Sequence, residues 1–229
     1  MTARTPPYAS AEKSALISPC GQYRYSLLRR WNGQARTPLL AFVMLNPSTA
    51  DAYLDDPTIR RCMRFGHREG YGGIVVYNLY GWRSADPKSL LTCTDPVGPW
   101  SDQILQGAAE QAADDGTPIV AAWGANARPG RVTDVLALLR GSDLRCLGTT
   151  AQGHPRHPLY VKGDQPLVPF ATAQSAPTPE SSVVTARPSC PRCGEPVTVY
   201  LTRLRCYPCG WSSEDEGTKR DIRGRERRG

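Results

Sequence analysis

No stretch of the chain approaches the ~20 consecutive apolar residues that a membrane helix requires. Residues 1–12 are polar and contain proline, without the apolar core of a secretory signal. Membrane partners are therefore not expected, and a cytoplasmic protein is. No internal repeat is present, which argues against a repeat architecture. Compositional extremes are missing as well: 40% hydrophobic and 21% charged residues in a chain of 229 is the balance of an ordinary globular protein, far from the disordered or membrane classes. That length suits one full-sized domain with a small appendage.

What the chain does have is an excess of positive charge, a formal net +7 with a sequence pI of about 9.1. Such a balance favours polyanionic partners, DNA or another nucleic acid. Part of the excess lies in a terminal run holding Lys219, Arg220, Arg223, Arg225, Arg227 and Arg228. With no apolar periodicity, this run is either a phosphate-binding tail or a solubilising one.

Strand-like and helix-like segments alternate along the first 170 residues. Residues 23–31 read as an early strand, and 39–45 as a buried one ended by Asn46-Pro47-Ser48. From Asp56 and Pro57 onward, Ile59, Cys62, Met63 and Phe65 mark one side of a helix that glycines stop at 70–73. Residues 74–77, 119–123 and 144–147 give three further strands, and 102–114 and 131–140 two further helices. Strands separated by helix-length segments predict an α/β fold of three layers, with a central, mainly parallel sheet. In such a sheet the functional loops lie outside the carboxyl ends of the strands, which selects 46–50, 78–83, 124–128 and 148–160. The expected domains are an α/β domain at 1–170, a linker of Ala, Ser, Thr and Pro at 171–189, a zinc ribbon at 190–213 and the basic tail at 214–229.

The ribbon rests on Cys190-Pro-Arg-Cys193 and Cys206-Tyr-Pro-Cys209, two CxxC pairs with twelve residues between them. Each pair presents two thiolates from a tight turn, and two turns complete the tetrahedral sulfur set that Zn²⁺ prefers. Alternation within 197–205 fits the hairpin between them. Four sulfur ligands leave no open position, so this zinc is expected to be structural. Cys20, Cys62, Cys93 and Cys146 are dispersed and read as packed thiols.

The motifs at the strand ends resemble a known family. Leu45-Asn46-Pro47-Ser48-Thr49-Ala50 resembles the first motif of the uracil-DNA glycosylase superfamily, above all the Gly-Ile-Asn-Pro-Gly form of its mismatch-specific branch. Val75-Val76-Tyr77-Asn78-Leu79 is similar to the strand whose terminal Asn reads a flipped base, and Val120-Ala121-Ala122-Trp123-Gly124 to the strand ending in Trp-Gly. Gly153-His154-Pro155-Arg156-His157-Pro158-Leu159 resembles the His-Pro-Ser-Pro-Leu motif. The chain departs from the family in having Asn instead of Asp at 46 and an Arg-His pair where the family has one Ser. Together, the Asn-Pro-Ser-Thr-Ala-Asp, Asp-Asp-Pro-Thr-Ile-Arg-Arg-Cys and His-Pro-Arg-His-Pro-Leu-Tyr segments are also similar to an uncharacterised bacterial and phage domain family without an assigned activity.

The resemblance implies a glycosylase-like enzyme that hydrolyses the N-glycosidic bond of an altered or modified base in DNA, in repair or anti-phage defence, without a catalytic cofactor. Asn46 would position water or stabilise the cationic sugar, and His154 would donate to the departing base. Asn78 would read the base edge, with Pro47, Ser48 and Tyr53 shaping its pocket. Arg156, His157 and Leu159 would enter the duplex. Each residue also has a local reading: Asn46 and Asn78 as turn residues, His154 and His157 as solvated imidazoles, and Asp55 and Asp56 as helix caps or as a water-activating carboxylate that Asn46 lacks. Asp51 shares the last of these alternatives. Arg60, Arg61 and Arg64 read as phosphate contacts or a solvated face. Two other functions compete: a non-catalytic nucleic-acid-binding module, and a hydrolase or transferase acting on nucleotides or RNA.

Overall fold

A run of residues with no polar side chain is stable only where both faces of a strand are covered, and Leu39–Met44 is such a run. It forms β1 of the parallel core, buried along its whole length within a seven-stranded sheet. Gly73–Asn78 (β2), apolar until its last two residues and likewise buried, pairs parallel to one side of it, with Asn78 opposite Met44. Ile119–Ala121 (β3) pairs parallel to its other side, and Leu144–Cys146 (β4) pairs parallel to β3. The computed structural model describes residues 12–31, 34, 36–48, 54–170, 189–190, 192–194, 197–200, 203–205 and 212. Asp51, Tyr53, Cys206, Cys209, residues 171–188 of the expected linker and the basic tail lie outside the described residues.

Alternate residues of the central strands point to opposite faces, and each face has its own helices. Leu40, Phe42, Met44, Ile74 and Val76 share one apolar cluster with Ile59, Cys62, Met63 and Phe65 of α1 (Pro57–Arg68). Ala41, Val43, Val75 and Tyr77 share the other with Ile104, Leu105 and Ala108 of α2 (Ser101–Asp115) and Val135 of α3 (Pro129–Leu138). Helices therefore cover both faces of the sheet. The Asp56 side chain caps α1 by accepting the Ile59 N–H at 2.7 Å, and Pro57 supplies the preset φ of the first turn. None of the helices among the described residues is long and apolar enough to cross a membrane.

The sheet corrects one expectation: it is mixed, not mainly parallel. Glu12–Ile17 and Arg24–Arg30 pair antiparallel with each other, and Arg24–Arg30 pairs antiparallel with β2. Val168–Pro169 adds an antiparallel edge next to β4. The segment 18–23 that joins the first two of these strands is too short for a parallel crossover, so a hairpin is the only connection available. Glu12–Ile17 escapes detection because an edge strand mixes exposed and buried positions, and Val168–Pro169 because two residues carry no period.

Near the C-terminus the expected hairpin is present, as Thr198–Tyr200 paired antiparallel with Arg203–Arg205. Its first strand lies against α2, and Cys190 and Val197 are buried in the same apolar cluster as that helix. The hairpin thus shares a core with the α/β domain.

Candidate functional site

In chain order the parallel strands run β1, β2, β3, β4, yet in space they run β2, β1, β3, β4. The chain leaves β1 on one side for β2 and returns on the other for β3. Loops depart in opposite directions at this switch, so a crevice opens outside the carboxyl ends of β1 and β3. A cavity of about 490 Å³ lies there, walled by Asn46 and Ser48 after β1, Asn78 at the end of β2 and Trp123 and Asn126 after β3. Ligand pockets of this type span ~300–1,000 Å³.

Asn46 is held by its own loop. Its Nδ2 donates to the carbonyls of Pro47 at 3.2 Å and Ser84 at 3.0 Å, while the Ser84 N–H returns a bond to the Pro47 carbonyl at 2.9 Å. Two carbonyl partners require the amino end of the amide, which leaves Oδ1 as the acceptor available to the cavity. Pro47 serves this loop through its backbone and is not part of the cavity wall.

Asn78 differs. It is only 5% exposed, it lines the cavity, and its Nδ2 has no hydrogen-bond partner among the described residues. An unmet buried donor costs ~1–3 kcal/mol.

The His-Pro-Arg-His segment divides its two imidazoles. Thr149 bridges Pro155, and the Thr150 N–H donates to the His154 carbonyl at 2.8 Å, forming a small hairpin that keeps His154 off the cavity wall. The chain then returns, and His157 lines the cavity. Gly124 lies beside it at φ +74°; a Cβ there would be in ordinary contact with that of His157, 3.7 Å away, and it is the left-handed φ that favours glycine. Burial lowers the His157 pKa from its ordinary value, against a smaller opposing pull from Asp56. Nδ1 accepts the Leu159 N–H at 3.3 Å, so the neutral ring carries its proton on Nε2 and is a donor there. Of the expected duplex-entering residues, Arg156 also lines the cavity, its Nε donating to the Thr149 carbonyl at 3.0 Å, whereas Leu159 is exposed outside it.

The neighbouring acids separate as clearly. Asp55 is committed to ion pairs, 2.6 Å from Arg29 and 2.8 Å from Lys13, and is absent from the cavity wall. Asp56 lines the cavity and caps α1 as well, with Ser48 Oγ donating to its second oxygen. Arg61 is likewise committed: its guanidinium donates to the carbonyls of Pro158 and Val161, tying the loop after His157 to α1. Arg60 donates to the Asp55 carbonyl, and Arg64 is exposed on the helix surface.

Sequence reasoning missed Arg24, which is 2% exposed and lines the cavity. Carboxyl ends of parallel strands were the guide, and Arg24 begins a strand that runs the other way. Its N–H bonds the Gly81 carbonyl at 2.9 Å, which brings it to the same edge. Tyr160, 79% exposed at the cavity, was missed for a simpler reason: nothing local marks an aromatic as a pocket rim.

Metal ligands cluster nowhere among the described residues in groups of three or more; the described half of the cysteine set is Cys190 and Cys193. Neither a curated protein nor a solved structure matches the chain significantly. Residues 24–159, which include every strand end that walls the cavity, match the family model described as "Protein of unknown function (DUF1643)". The chain belongs to the DUF1643 family.

Proposed function

We propose that the cavity receives a nucleotide turned out of DNA and that the protein hydrolyses the N-glycosidic bond of its altered or modified base. The observation that carries this reading is the buried Asn78 amide, an unmet donor on a residue that lines a nucleotide-sized cavity. It is joined there by a neutral imidazole donor, an amide acceptor and a carboxylate, the groups such a cleavage uses. The resemblance of the strand-end motifs to the uracil-DNA glycosylase superfamily points the same way.

In this reaction the C1′–N bond breaks, its electron pair leaves with the base, and a water oxygen bonds to C1′. Asn78 reads the base edge. His157 Nε2–H donates to the base atom on which negative charge develops, the task that the motif resemblance implies for His154. Asn46 Oδ1 accepts from the attacking water, and the water proton passes to Asp56 or to solvent. Arg156 and the C-terminal basic run hold phosphate. Cys190, Cys193, Cys206 and Cys209 would hold one structural Zn²⁺, whose four sulfur ligands leave no open position for chemistry.

Incubating the protein with DNA duplexes and single strands carrying different modified bases tests this directly. Free base identified by mass spectrometry, with matching alkali-labile sites, is the expected result. Salt-sensitive DNA binding with no base released from any substrate would establish the binding-module alternative instead. Asn78→Ala is expected to weaken binding of the preferred base about tenfold, the scale of one neutral hydrogen bond, and to blur base preference. Unchanged preference would remove Asn78 from base reading.

A further inference from the structure

Arg61, Phe65 and Arg68 follow one another at spacings of four and three, so α1 presents them on one face. Phe65 is buried, and both guanidinium carbons lie over its ring, that of Arg61 at 5.3 Å and that of Arg68 at 4.9 Å from the centroid. Held there, the two cations reach the loop that follows His157. Arg61 donates from Nε to the Pro158 carbonyl at 3.3 Å and from Nη2 to the Val161 carbonyl. Arg68 donates to the carbonyls of Gly163 at 2.7 Å and Gln165 at 2.8 Å. Between His157 and Val168 the only regular element is a 3₁₀ turn at Pro158–Tyr160, entered through the His157 ring as it accepts the Leu159 N–H. Arg61 thus bridges the first residue of that turn and the residue after its last. At the start of the same helix Asp56 caps α1 and lines the cavity. One helix therefore carries the carboxylate and grips the turn that carries the imidazole.

We infer that Arg61 is a positioning residue: its two-carbonyl bridge fixes the turn after His157 on α1 and so holds that imidazole at the cavity in register with Asp56. A planar fork with donors in fixed directions holds two carbonyls at once, which the point charge of an ammonium does not. A phosphate contact, one of the roles that the sequence suggests for Arg61, would need only the charge. Precision matters at this place, because a group displaced by about 1 Å can cost ~10²-fold in rate. The inference rests on the proposed base release for its effect on rate alone. The groups that share the cavity wall with the His157 ring are Asp56 of α1, Arg24 of the antiparallel strand, and Arg156 and Tyr160 of its own loop, the Tyr160 ring 5.5 Å away. Burial lowers the His157 pKa more than Asp56 raises it, so a loosened turn that admits water moves it up.

The experiment uses the full-length chain, whose 3 histidines give few enough ring signals to follow by NMR, with His157→Ala identifying the one of interest. The pH titration of the His157 ring is measured in the unaltered chain, in Arg61→Lys, which keeps the charge but not the fork, and in Arg68→Lys, whose carbonyls lie further along the loop. The midpoint in Arg61→Lys is expected to move up toward the ordinary histidine value of ~6.5, while Arg68→Lys stays close to the unaltered chain. A midpoint unmoved in Arg61→Lys, or moved equally in both variants, overturns the positioning role. Should Arg61→Lys not fold, Arg61→Gln, whose amide still donates to one carbonyl, takes its place in the titration. Single-turnover base release adds the rate: a loss of ~10-fold or more in Arg61→Lys, with DNA affinity and its salt slope unchanged, supports positioning. Weaker DNA binding with a flatter salt dependence in Arg61→Gln but not in Arg61→Lys, at an unmoved titration, marks a phosphate contact and overturns it. No base release by the unaltered chain overturns the reading of the reaction, and the titration then decides the positioning by itself.

Discussion

Replacing His157 by Ala is expected to lower the rate of base release by roughly 10²–10³-fold, the usual cost of one preorganised donor to a developing anion. DNA affinity should be nearly unchanged, because the interaction strengthens only as charge develops on the departing base. The parallel change of His154 is expected to leave the rate close to that of the unaltered protein, since the 149–155 hairpin keeps that side chain off the cavity wall. Single-turnover kinetics on both variants, with melting curves to show that each is folded, provide the measurement. Equal losses in the two variants would mean that the imidazole nearest the cavity is not the donor. The pH profile adds an independent check. Burial pushes the His157 pKa below the ordinary histidine value of ~6.5, so protonation of the ring moves to lower pH. Protonation would place a hydrogen on Nδ1, which now accepts the Leu159 N–H, and would break that bond. The acid fall in activity should therefore come at a lower pH than an ordinary histidine would set.

The second large effect is on stability and concerns Asp55. Arg29 is fully buried, with side-chain exposure of 0%, and its Nε lies 2.6 Å from the Asp55 carboxylate. Removing that carboxylate by Asp55→Ala leaves a guanidinium charge in the interior and is expected to cost ~3–5 kcal/mol. The bonds from Arg29 to the carbonyls of Leu28 and Leu54 moderate the loss, which places it toward the lower end. Urea denaturation checks it. A midpoint unchanged from the unaltered chain would show that the remaining partners of Arg29 compensate its charge. The same pair sets an acid limit. Burial pushes the Asp55 pKa up, but the hydrogen bonds and charges of Lys13 and Arg29 outweigh it and hold the group below the ordinary carboxylate value. A carboxylate depressed in the folded state contributes stability that is fully present above its unfolded pKa, ~3.9, and lost as pH falls through the lower folded value. The acid transition of Asp55→Ala should lack this component.

The two acids at the start of α1 show how far local pattern reaches. Asp-Asp-Pro announces a helix N-terminus, and Asp56 caps it. Which neighbour faces the cavity and which pairs with Arg29 depends on a strand some 26 residues earlier in the chain. Asn46 and Asn78 were legible because each follows a strongly apolar parallel strand, and such strands deliver their carboxyl ends to one edge.

The amino-acid sequence by itself determined the alternation of central strands and helices, the start of α1 and the loops that wall the cavity. These follow from side-chain periodicity and capping within a few residues of chain. Only the tertiary structure decided that His157 and not His154 reaches the cavity, because a cross-loop bridge between Thr149 and Pro155 sets which imidazole faces inward. It alone brought Arg24 to the site, through an antiparallel pairing that reverses which end of a strand meets the functional edge. It alone placed the C-terminal hairpin against α2, since apolar surfaces far apart in sequence find each other by area and shape, which no local spacing encodes.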